Sequence, residues 1–243
     1  MSVRDKLRTI AENEQRVFEA GKRAEYDTFW NIYQQNGERT NCEGMFAGDG
    51  WNSDTIRPKY NIYPTKATMM FYYSGFVGSL KEFFENLNIV IDFSNTTSLT
   101  GVFQYANKIT ELPYLDLSSI ISNTKILQLC NNCAELVTAE IKFPPSCSYA
   151  NCFNGCRELK HLVAHGEIGG DGLDFHWSTK LTHDSLMSII NALSATTSGL
   201  SVTLSLTAVN AAFETAEGAG DGSTSEAWAA LSATRENWTI ALA

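Results

Sequence analysis

Between Tyr60 and Phe175 the chain repeats one pattern of residue types, and that repetition limits what it can fold into. Each unit opens with a strand-like triplet and continues with aliphatic, aromatic or small residues at every third position. Tyr60-Asn61-Ile62 leads into Phe71, Ser74, Val77 and Leu80, and Ile91-Asp92-Phe93 leads into Phe103, Ala106, Ile109 and Leu112. Leu115-Asp116-Leu117 precedes Cys130, Cys133, Leu136 and Ala139, and Ile141-Lys142-Phe143 precedes Phe153, Cys156, Leu159 and Leu162. Leu173-Asp174-Phe175 opens a fifth strand that runs into a different ending. The steps from Ile62 to Phe93, Leu117, Phe143 and Phe175 are 31, 24, 26 and 32 residues, which are solenoid periods.

Side-chain alternation in a strand turns the apolar residues of each triplet inward and the polar one outward. The polar residues Asn61, Asp92, Asp116, Lys142 and Asp174 are therefore expected on one exposed face, with Tyr114 and His176 at its margins. A ladder at every third residue suits a tight turn near three residues per turn, whose small members let neighbouring coils approach. One coil cannot bury its own apolar edge, so stacking must supply the core. The spacing predicts a right-handed solenoid with one parallel sheet from strands near 60–63, 89–94, 113–118, 139–143 and 172–176. Phe71, Phe103, Cys130 and Phe153 are then neighbours in adjacent coils. Ordinary strands and helices in a globular α/β domain are the competing reading.

The flanks differ from the repeat. Residues 1–36 read as an amphipathic helix with a narrow apolar stripe, Leu7, Ile10, Val17 and Ala24, ended by Asn36-Gly37. It either caps the first coil or associates with itself or a larger assembly. The repeat region is assigned to 37–178, with a degenerate first coil near Met45-Phe46 and an inserted helix near 79–88 on the convex side. Residues 179–243 read as a closing block: a helix capped by Thr182 or His183, a strand at 202–206 and a helix near 208–215. A Gly-rich loop over 216–225, a helix over 226–234 and a strand over 238–242 complete it.

With 243 residues, 44% hydrophobic and 19% charged, the chain can build one elongated domain with a sizeable core. No apolar run approaches the ~20 residues of a membrane span. Met1-Ser2-Val3-Arg4-Asp5-Lys6 lacks the apolar segment of a secretory signal, so export by the general secretion route is not expected. A formal charge of −9 argues against non-specific nucleic-acid binding, which needs a basic surface.

Cys130, Cys133, Cys152 and Cys156 have the short spacings of a thiolate zinc site, but Cys133 and Cys156 also occupy the small inward positions filled elsewhere by Ser74 and Ala106. A cysteine core column is the simpler reading, with zinc and disulfides as alternatives. His161, His165, His176 and His183 are scattered and form no catalytic constellation, so neither an enzyme nor a cofactor is expected.

The unit Cys152-Phe153-Asn154-Gly155-Cys156-Arg157-Glu158-Leu159-Lys160-His161-Leu162 resembles the repeat of BspA-like leucine-rich repeat proteins. Those repeats carry an aromatic residue, a small residue or Cys three later, and Leu three after that. The segments 10–30 and 181–193 are similar to the ends of short leucine-rich repeat proteins encoded in phages and prophages of gut Firmicutes. The resemblance implies an irregular leucine-rich-repeat-like solenoid with an N-terminal helix and an α/β C-terminal cap. It further implies a non-enzymatic virion or tail-associated protein that contacts a host-surface glycan or protein. Residues 1–36 would hold it to other virion proteins or to itself, and it would reach the extracellular space by lysis. A bacterial BspA-like interaction or adhesion module, in the cytoplasm or at the cell surface, is the alternative.

Overall fold

The computed structural model describes residues 41–56, 58, 60–97, 99–120, 126–214 and 221–243. The helix expected over 1–36 and the first half of the loop expected over 216–225 lie outside them. The described chain is mixed α/β with parallel sheets.

The three-residue ladder folds as tight turns, in which a backbone closing i→i+3 bonds sets apolar positions three apart on one side. The N–H groups of Ser74, Ala106, Cys133, Cys156 and Ser178 donate to the carbonyls of Phe71, Phe103, Cys130, Phe153 and Phe175 at 2.9–3.1 Å. Successive turns also bond to one another as rungs. The Phe46, Phe71, Phe103 and Cys130 N–H groups donate to the Met70, Val102, Leu129 and Cys152 carbonyls at 2.7–2.9 Å. The Phe71 and Phe103 rings stack at 5.4 Å, so the expected core neighbours are neighbours. The column includes the degenerate first coil expected near Met45-Phe46 and continues past Phe153. Phe46 packs on Phe71 at 5.0 Å, and Phe175 stacks on Phe153 at 4.9 Å. Phe175, Ser178 and Leu181 repeat the ladder, which corrects the different ending expected after Phe175.

At Cys133, Cys156 and Ser178 the small ladder residue carries a side-chain donor for a physical reason, whereas Ala106 has none. Cys133 Sγ donates to the Phe103 carbonyl at 2.9 Å, Cys156 Sγ to Cys130 at 3.0 Å and Ser178 Oγ to Cys156 at 3.1 Å. Each thiol or hydroxyl thus engages a buried carbonyl of the preceding rung. All six cysteines are buried and none is in a disulfide, and burial pushes the Cys152 thiol up to about 12. Burial also raises Cys130 and Cys156, which keeps these groups as protonated donors.

The strands do not form the single sheet the spacing predicts. The first sheet holds β1 (Gly78–Ser79), β2 (Ile109–Glu111), β3 (Leu115–Asp116), β4 (Thr138–Phe143) and β5 (His161–Gly166). The β1–β2, β2–β4, β3–β4 and β4–β5 pairs are all parallel. The second is a parallel sheet of β6 (Leu173–Phe175), β7 (Leu200–Leu204) and β8 (Trp238–Leu242). Ile62 and Ile91 meet only in an isolated parallel bridge. Two expectations are corrected here: 161–166 is a strand in register with all of β4, and 172–176 belongs to a different sheet.

The helices show why the first sheet ends at β5. They are α1 (Leu80–Asn86), α2 (His183–Ala192), α3 (Leu206–Ala212) and α4 (Glu226–Ala233). Their N-caps are Ser79, Thr182, Ser205 and Ser225, and each hydroxyl accepts a first-turn N–H. Ser185 and Ser188, one turn apart on α2, face the edge of β5. Ser185 Oγ accepts the Leu162 N–H at 2.9 Å and donates to the Lys160 carbonyl at 3.0 Å. Ser188 Oγ accepts the Ala164 N–H at 2.8 Å. Helix hydroxyls therefore take the positions a further strand would occupy, and the edge is closed. Ser185→Ala should cost about 2 kcal/mol by leaving the Leu162 N–H buried without its partner. A urea midpoint equal to that of the parent would show that α2 does not seal this edge.

Candidate binding groove

The polar middle residues of the triplets first serve the backbone. Asp92 Oδ1 accepts the Ser94 N–H at 2.8 Å, Asp116 Oδ1 the Ser118 N–H at 2.9 Å, and Asp174 Oδ1 the His176 N–H at 2.9 Å. Each aspartate closes an Asx turn that leads the chain out of its strand. Asn61 instead joins two segments, since its Oδ1 accepts the Val90 N–H at 2.9 Å and its Nδ2 donates to Tyr63 Oη at 3.1 Å.

Strand register then assembles the charges. Asp116 pairs with Lys142 across β3 and β4, and Lys142 Nζ lies 3.0 Å from Asp116 Oδ2. Lys142 pairs with His165 on β5, whose Nε2 lies 2.8 Å from Glu140 Oε1. The Tyr114 and His165 rings meet edge to face at 6.0 Å. Partial burial pushes the Asp116 carboxyl up, but hydrogen bonds from Ser118 and Lys142 outweigh it and hold the group below the usual carboxylate range. The same Asp116 bond raises Lys142. Burial, followed by the nearby Asp116 charge, raises Tyr114. Glu140 was not singled out by its sequence, and His165 was set aside with the other scattered histidines, because the pairing of β4 with β5 was not foreseen.

A groove of about 480 Å³ opens beside this face. Asp92, Tyr114 and Asp116 line it with Phe84, Ile89 and Ile91, and Lys81 and Glu85 reach it from α1. The inserted helix expected on the convex side thus borders the same groove as the triplet residues. An apolar lining, a phenol exposed at 44% and carboxylates together suit a ligand with both apolar faces and polar groups.

Asp174 and His176 lie on and just after β6, in the other sheet. His176 Nδ1 is 2.9 Å from Asp174 Oδ1, its ring is 4.7 Å from Trp177, and the Arg157 guanidinium sits 5.3 Å from the Trp177 centroid. Ser178, next in the chain, is buried and donates to the Cys156 carbonyl, so its hydroxyl is not aimed at His176. Among the described residues no group of three or more His, Cys, Asp or Glu could hold a metal ion. No described helix is long and apolar enough to cross a membrane.

No protein-family model, curated protein or solved structure matches the chain.

Proposed function

We propose that this is a non-enzymatic binding protein carried on a phage particle or tail, and that it contacts the host surface through the groove at Asp92, Tyr114 and Asp116. In this reading the rungs are the coils of an irregular, right-handed leucine-rich-repeat-like solenoid of the BspA-like kind. The core column supports it: Phe46, Phe71, Phe103, Cys130, Phe153 and Phe175 follow one another at 25, 32, 27, 23 and 22 residues. The continuous element is the ladder of turns, while the strands divide between sheets. Residues 1–36 hold the protein to its assembly, and the protein acts on the virion or outside the cell after lysis.

The observation that carries the binding role is the groove itself, with an apolar lining and an acidic, phenolic rim set on packed backbone. Such a rim suits a host glycan or a polar or basic protein patch and repels an anionic polymer. Labelled protein binding to a panel of gut Firmicutes cells tests it. Asp92→Asn with Asp116→Asn keeps the acceptor each turn needs and removes the charge, and Tyr114→Ala removes the exposed ring. Each change should weaken cell binding by about tenfold. Equal binding by folded variants excludes the groove, and a parent that binds no strain excludes the host-contact role.

A further inference from the structure

The turns carry a second surface, on the residues two positions beyond each core side chain. Gly48, Tyr73, Tyr105, Asn132, Gly155 and Trp177 form this column. Its register is set by N–H donation from Gly48 to the Tyr72 carbonyl, Tyr73 to Gln104, Tyr105 to Asn131 and Asn132 to Asn154, at 2.7–3.0 Å. The Phe153–Phe175 stack carries it on to Trp177.

The first five of these residues have φ of 101°, 54°, 61°, 58° and 80°. Glycine enters this left-handed region freely and asparagine tolerates it, whereas tyrosine is disfavoured there. The backbone asks for Gly or Asn at each rung, and three rungs have them. Tyr73 and Tyr105 stand against that preference, so something other than the turn accounts for their side chains. Residues held in such conformations concentrate at functional sites.

The core does not account for them either, because Tyr73 is 52% exposed, as is 43% of Trp177. The Tyr73 and Tyr105 rings stack at 4.8 Å, and Tyr72 meets them edge-on at 5.0 and 5.9 Å. Between this group and Trp177 the column drops to Asn132 and Gly155. A Cβ on Gly155 would lie 2.5 Å from Asn132 Oδ1, so the amide lies across the glycine. Three rungs separate Tyr105 from Trp177, about 14 Å at ~4.8 Å per rung. Beyond Tyr73, Gly48 presents no side chain, and a Cβ there would meet nothing within 4 Å.

We infer that this column is a binding track for a neutral polysaccharide lying along the stack of turns. The C–H faces of sugar rings pack on the tyrosine group and on Trp177, and the Asn132 amide meets hydroxyls of the units between them. A protein partner would favour one contiguous apolar patch. Here the aromatic groups are separated by an amide and a glycine, a spacing that a repeating polymer can match. The chain's charge of −9 disfavours a polyanion, and Arg157 is already seated on Trp177.

Native electrophoresis through gels containing yeast mannan, laminarin or hydroxyethylcellulose, with polygalacturonate as the anionic control, tests the inference. The parent should be slowed in at least one neutral gel and not by polygalacturonate. Tyr73→Gly combined with Tyr105→Asn installs residues the column already uses elsewhere, so the rings are lost while the turns are relieved. That variant and Trp177→Ala should each lose the retardation while keeping a cooperative thermal transition. No retardation of the parent in any neutral gel would make the column a protein-facing surface and overturn the inference. Retardation by polygalacturonate alone, or equal retardation of parent and folded variants, overturns it as well.

Discussion

Phe103→Ala should lower the free energy of unfolding by ~3–5 kcal/mol, read as a shift of the urea midpoint with little change in slope. Phe103 is fully buried, stacks on Phe71 at 5.4 Å and lies 6.3 Å from Phe93, while its N–H is tied to the next rung at Leu129. The neighbours cannot collapse into the space, because each is fixed in its own rung by backbone hydrogen bonds at rung spacing. The lost transfer energy and the cavity therefore add. A loss below about 1 kcal/mol would mean that the aromatic column is not the core of this fold.

Gly170→Ala should be at least as damaging, with about 4 kcal/mol or more lost and a sharp fall in soluble yield. A Cβ at this buried glycine would lie 1.3 Å from the Cys147 carbonyl oxygen and 2.3 Å from its carbon. Both atoms are backbone, so no rotamer change relieves the overlap. The adjacent Gly169 is in the same position, with the Pro145 carbonyl oxygen 1.9 Å from its own would-be Cβ. A Gly170→Ala protein melting like the parent would show that 167–172 does not lie on 144–147. Neither glycine stands out in the sequence, because the atoms that forbid a side chain come from residues more than twenty positions away.

The candidate site was partly legible for a similar reason. Asp92, Tyr114 and Asp116 were placed on an exposed face by alternation alone, and they share the groove. Alternation also grouped Asp174 and His176 with them, and there it failed, because it reports which way a side chain points within a strand and not which sheet the strand joins. The aspartates' turn-closing bonds were hidden too, although each Asp is followed two residues later by the N–H it accepts. Tyr73 and Tyr105 gave no signal, since a left-handed turn residue is recognisable in sequence only when it is Gly or Asn.

The sequence by itself determined whatever depends on neighbours within a few residues. The ladder spacing specified i→i+3 turns, and their apolar members specified one core column. A cap ahead of an apolar run located the start of α2 at Thr182, whereas Ser205, expected inside a strand over 202–206, caps a helix that begins at Leu206. Only the tertiary structure decided which strands pair and where a surface opens. β5 ends the first sheet because Ser185 and Ser188 of α2 occupy its edge, which leaves β6 to pair with β7 instead. The groove exists because α1 stands beside the strand face, and the aromatic column because successive turns stack in register. These outcomes turn on contacts between segments more than twenty residues apart, and a local pattern of residue types carries no record of which partner wins.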